Sequence, residues 1–75
     1  MTHMMPLYMV SEGGDCKVCK ISDGSGNASR LREMGFIDKA TIKVFRSDQV
    51  GVIIDINGSR LALGRGVAKD IMVTI

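Results

Sequence analysis

A small β-barrel or sandwich of about five strands with one short α-helix is the fold the sequence predicts, and three patterns predict it. Short β-branched runs recur roughly every 8–12 residues between turn signals, the rhythm of a closed or nearly closed all-β domain. Asn57-Gly58 lies between two apolar runs, the strongest hairpin signal in the chain, because a type I′ turn needs φ > 0 at both central residues. Only one stretch, "NASRLREMGF", has the spacing of a helix. The 75 residues bound the chain to one domain with a thin core, and 45% hydrophobic and 24% charged residues place it among ordinary globular proteins.

Each element has its own reason. Residues 1–5 carry little patterning and read as a flexible arm. Residues 6–10, "PLYMV", are apolar and suit a strand or a docking arm. Gly13-Gly14 makes a turn. "CKVCKI", residues 16–21, reads as a strand, and "SDGSGN", residues 22–27, as a loop. Asn27 suits an N-cap, because its side-chain oxygen accepts a first-turn N–H. Ala28, Leu31 and Met34 then fall on one helix face, and Gly35 suits the left-handed position that closes a helix. Asp38-Lys39 is a turn. Residues 41–45 alternate, with Ile42 and Val44 on one side and Thr41, Lys43 and Phe45 on the other. Residues 50–56 and 59–63 are the hairpin strands. "GRGVAKD" is a turn or one helical turn, and residues 71–75 form the last strand.

Cys16 and Cys19 are the only cysteines and are spaced Cys-x-x-Cys. In a regular strand they face opposite ways, about 10 Å apart at ~3.3 Å per residue. A disulfide needs Cα atoms within about 7 Å, and zinc needs both thiolates on one side plus further ligands. His3 is the single histidine. A redox pair opens a helix, and a Gly-rich loop follows here instead. Structural cysteines are therefore favoured, with Cys16 and Val18 facing the core and Cys19 near the surface. Ile21 also calls for burial, which strict alternation cannot give to all three. A bulge between the cysteines would change that geometry.

Other chemistry finds little support. One histidine near the start of the chain supplies no catalytic base with an orienting partner. "GRG" and "DGSG" lack the strand–loop–helix spacing of a phosphate loop. A net charge of +2, with basic and acidic residues interleaved, gives no nucleic-acid stripe. Tyr8, Phe36 and Phe45 are the only aromatic residues, too few for base stacking or an aromatic groove for proline-rich peptides. No apolar run reaches the ~18 residues of a membrane span, and the first residues have no basic segment of a signal peptide, so a soluble, reducing compartment is expected.

From "RLREMGF", residues 30–36, through "TIKVF" to "DINGSRLALGRGVAKDIMV", the order of motifs resembles the ferrous iron transport protein A (FeoA) family. The resemblance runs from residue 6 to residue 73. It departs at Asp38-Lys39, where Pro-Gly is frequent in the family, and the cysteine pair is not a family feature. The resemblance implies a single SH3-like, partly open barrel over residues 1–75. It also implies an accessory, non-enzymatic cytoplasmic protein of ferrous iron uptake with no required cofactor. Such a protein docks on and modulates the FeoB-type membrane iron transporter, at its cytosolic part, without membrane insertion. Homo-oligomers remain open. Arg30, Arg32 and Glu33 on the outer helix face, with Phe36 at its end, are the candidate docking residues; core packing is the competing role of Phe36. The alternative is a metal-responsive module binding Fe²⁺ or another divalent transition metal directly, as the SH3-like domain of iron-dependent repressors suggests. His3, Cys16 and Cys19, with Glu12 or Asp15, are its candidate donors.

Overall fold

The computed structural model describes residues 3–22, 26 and 28–75. Among them are six strands: β1 (Met4–Pro6), β2 (Asp15–Ile21), β3 (Thr41–Ser47), β4 (Gly51–Ile56), β5 (Ser59–Gly64) and β6 (Ile71–Thr74). They pair antiparallel in the order β1-β6-β2-β3-β4-β5, a single curled sheet with β1 and β5 at its edges. Helix α1 (Ala28–Glu33) joins β2 to β3, and the single turn α2 (Arg65–Ala68) joins β5 to β6. Asn27 and most of the loop before it lie outside the described residues, and so does the proposed N-cap.

The strand beyond the expected five comes from the segment assigned to an arm. Met4 and Met5 pair with Thr74 and Val73, and Pro6 stands opposite Met72. Pro6 is tolerated because β1 is an edge strand. Residues 6–10 are no single strand either. A 3-10 turn spans Leu7–Met9, and the Val10 amide donates to the Leu7 carbonyl at 3.1 Å. That turn brings Leu7 and Val10, three residues apart, into the core together.

In β2 the conflict over Ile21 is resolved by a bulge. The register against β6 shifts between Val18 and Lys20, which makes Cys19 the extra residue. A bulge reverses the alternation beyond it. Cys16, Val18 and Ile21 are all buried, and Cys19 is left half-buried. The next turn holds the other side of β2: the Val18 amide donates to the Ala40 carbonyl at 2.9 Å, and the Lys39 amide to the Val18 carbonyl at 2.8 Å. Lys39 takes φ 70°, the left-handed conformation that the glycine of a Pro-Gly turn adopts more readily.

Helix α1 ends as its sequence indicates, with Gly35 at φ 108°. The chain then turns inward, and the Phe36 amide donates to the Leu31 carbonyl at 3.1 Å. Phe36 is 1% exposed and is among the largest fully buried side chains, with Leu7, Ile42, Ile54, Ile56 and Ile71. That burial favours the core-packing role of Phe36 over its candidacy as a docking residue, although Phe36 also borders the recess that Cys19 and Ile37 line. Met34 departs the other way. Ala28 and Leu31 are buried as the helix spacing requires, but the helix stops at Glu33 and Met34 is 39% exposed.

The β4–β5 hairpin has the expected turn, with Asn57 at φ 51° and Gly58 at φ 78°. The two strands stay in register from Ile56–Ser59 to Gly51–Gly64. At that far end they approach so closely that a Cβ on Gly51 would collide with the Leu63 carbonyl.

Three stability outcomes follow. Phe36→Ala empties the middle of the core and is expected to cost about 3–5 kcal/mol in urea unfolding. That is a large share of the ~5–15 kcal/mol a domain possesses. Gly51→Ala is expected to lower the midpoint. Gly66→Ala, in a helical turn with open space around it, is expected to raise stability by roughly 0.4–1 kcal/mol.

Candidate docking surface

The candidate donors for a metal do not come together. His3 and Asp15 are exposed. A Glu12 Oε1 accepts the Ser47 amide at 2.9 Å, tying the first loop to the end of β3. Cys16 points into the core at 3% exposure. Burial, with the nearby Asp15 charge, pushes its thiol from an ordinary 9.0 to about 11. A metal takes thiolate, which this site disfavours. Cys19 lines a different recess with Arg32, Ile37 and Asp38. Among the described residues no three His, Cys, Asp or Glu side chains converge.

The structure instead builds a surface around α1 and β5. Arg30, Arg32 and Glu33 are exposed on α1, as the helix spacing predicts. Beside them runs a groove of about 210 Å³. Arg30 and Leu31 of α1 with Met34 just after it form one wall, Ala62, Leu63 and Gly64 of β5 the other, and Val67 of α2 closes one end. A second recess, about 260 Å³, borders the same three β5 residues from the side of β4 and the turn after β3. Arg46, Asp48, Val50, Gly51 and Ile53 are among its lining residues. The Asp48 carboxylate accepts the Val50 and Gly51 amides at 2.8 and 3.1 Å. These hydrogen bonds hold its carboxyl below the usual range.

Next to this surface the side chains of β3, β4 and β5 brace one another. The Arg60 guanidinium lies 3.9 Å over the Phe45 ring, and its Nε is 2.9 Å from Asp55. The Arg60 hydrogen bond lowers the pKa of Asp55. Arg65 reaches over Tyr8 at 5.3 Å. Sequence reasoning found the arginines of the helix but missed Met34, Ala62, Leu63, Gly64 and Val67 as walls of a groove. The one available cue was the pair of small residues, Ala62 and Gly64, in the apolar second half of β5.

A single antiparallel sheet curled around an apolar core, crossed by one short helix and offering an exposed groove, defines the class: a small SH3-like β-domain. The sequence pattern of the FeoA domain matches residues 5–75. The Fe(2+) transport protein A of Methanocaldococcus jannaschii is 43% identical over 70 residues, covering 93% of this chain and 85% of that protein. A crystal structure of an iron uptake regulatory protein, FeoA, superposes with a TM-score of 0.87 at 33% identity, covering 97% of this chain and all of the other. The Stenotrophomonas maltophilia FeoA, crystallised with zinc and described as a procaryotic SH3 domain protein, has a TM-score of 0.81. It is 22% identical, covers 92% of this chain and 88% of its own, and supports the fold alone. The chain belongs to the FeoA family of ferrous iron transport.

The two cysteines are expected to differ in reactivity. Iodoacetamide at neutral pH should alkylate Cys19 first, with Cys16 reacting only on unfolding, as intact and peptide mass measurements would show. The raised Cys16 pKa also has a sign: above about pH 9 the unfolded chain loses this proton while the folded chain keeps it. Stability from Cys16 is therefore complete below pH 9 and declines toward pH 11, and Cys16→Ala should remove that slope.

Proposed function

We propose that this chain is an accessory protein of ferrous iron uptake that docks on the cytosolic part of the FeoB-type membrane transporter and modulates it. Family membership supports the iron-uptake role. The observation that carries docking is the exposed charged face of α1 beside an apolar groove. That surface combines an apolar floor, to which the core residues Leu31 and Leu63 contribute, with a charged rim, the anatomy of a protein interface. Among the described residues no helix is long and apolar enough to cross a membrane.

Direct metal sensing is the weaker reading. It requires His3, Cys16, Cys19 and a carboxylate to meet, and Cys16 is inside the core while Glu12 holds a backbone amide.

The test is binding of the full-length transporter in detergent to the immobilised protein. The double substitution Arg30→Glu and Arg32→Glu is expected to weaken binding at least tenfold at low salt, with an unchanged thermal midpoint. Unchanged affinity would remove α1 from the interface. An anaerobic Fe²⁺ titration of the same protein, followed by NMR, is expected to leave the Cys16 and Cys19 amide signals in place. Their selective broadening would favour the metal-sensing reading.

A further inference from the structure

The two edges of the sheet are built differently. β1 is three residues long and ends in Pro6, a short edge of the kind that resists further pairing. β5 is six residues long, contains no proline, and keeps an unbroken register with β4. Its ladder can be phased from the turn. In a two-residue hairpin the residues flanking the loop, Ile56 and Ser59, exchange hydrogen bonds, and the pairs alternate from there. Ser59, Leu61 and Leu63 therefore bond to β4. Arg60, Ala62 and Gly64 turn their N–H and C=O groups away from it. The phase is confirmed just beyond the strand, where the Arg65 amide donates to the Val50 carbonyl at 3.0 Å. Among the described residues, no backbone hydrogen bond outside the helices and strands uses the N–H groups of Arg60, Ala62 or Gly64, whereas the Gly64 carbonyl, at the N-cap of α2, accepts that helix's first bond.

Both recesses border this edge at Ala62–Gly64, one from the side of α1 and one from the side of β4. A strand laid along β5 sends successive side chains to opposite faces. Its alternate residues would enter the two recesses in turn, the arrangement by which strand addition gains specificity. Ala62 and Gly64 are small enough to leave the backbone approachable. The charge at this site is cationic. Arg30 is in one wall, Arg46 in the other, and Arg65 follows Gly64 directly, while the carboxylate of Asp48 is already occupied by two backbone amides.

We propose that the free edge of β5 accepts an extended segment of the docking partner as an added strand, with apolar residues and at least one carboxylate that faces Arg30. This rests on the docking function above and specifies its mode. A second copy of this chain fits less well, because it would bring two edges of like charge together, each with Arg30, Arg46 and Arg65 beside it.

The experiment is hydrogen exchange on the labelled full chain, alone and with the full-length FeoB-type transporter in detergent, quenched and read residue by residue. The Ala62 and Gly64 amides are expected to slow at least tenfold in the complex, while those of Leu61 and Leu63, already bonded to β4, change little. Ala62→Pro removes an outward amide without taking a bond from β4, and is expected to weaken binding at least tenfold. Should Ala62→Pro fail to fold, the exchange comparison on the unaltered chain decides alone. A complex that forms with Ala62 and Gly64 unprotected overturns strand addition but leaves docking standing. Absence of any complex overturns both. Protection that rises with protein concentration, without transporter, assigns the edge to a second copy and overturns the proposal.

Discussion

The turn at Asn57-Gly58 organises more of this molecule than its two residues suggest. Its left-handed pair sets the phase of β5 against β4, and so determines which backbone groups of β5 face outward. The same turn touches the end of α1. A Cβ on Gly35 would strike the amide nitrogen of the Asn57 side chain, with Ile56 close by. Only a residue without a side chain lets helix and hairpin meet this closely. On either side of this contact Phe36 is buried in the core and Met34 lies at the surface.

A second constraint is the bulge at Cys19. Without it, β2 would bury either Ile21 or the pair Cys16 and Val18. The extra residue satisfies all three and leaves Cys19 half-exposed. The Cys-x-x-Cys spacing is accordingly a product of packing against β6. The buried thiol serves as a small apolar group, and its raised pKa is a consequence of that burial. Chemistry is thereby separated from architecture. Among the described residues the core holds no buried polar or charged side chain, and the charges stand on the outside.

For a ferrous iron transport family this division is informative. A domain of this size has little interior to spare for a functional centre, since its thin core is needed for stability. Its recognition capacity lies in edges and grooves. One edge is stopped by Pro6 and the other is open beside three arginines, an asymmetry that gives the sheet a direction for assembly.

Much of the fold was legible in local sequence. The hairpin turn, the helix with its closing glycine, and the alternation of Ile42 and Val44 are set by backbone sterics and side-chain period, which act over a few residues. The sheet order was not legible. Nothing local reveals that residues 4–6 pair with residues 72–74, or that Cys19 is the extra residue of a bulge, because both depend on a strand distant in sequence. The site divided the same way. Exposure of Arg30, Arg32 and Glu33 followed from helix spacing. Burial of Phe36, dispersal of the cysteine and histidine donors, and the groove between α1 and β5 were decided by tertiary packing. A hairpin signal names a strand's partner on one side only; whether the other side is left open depends on where the rest of the chain closes.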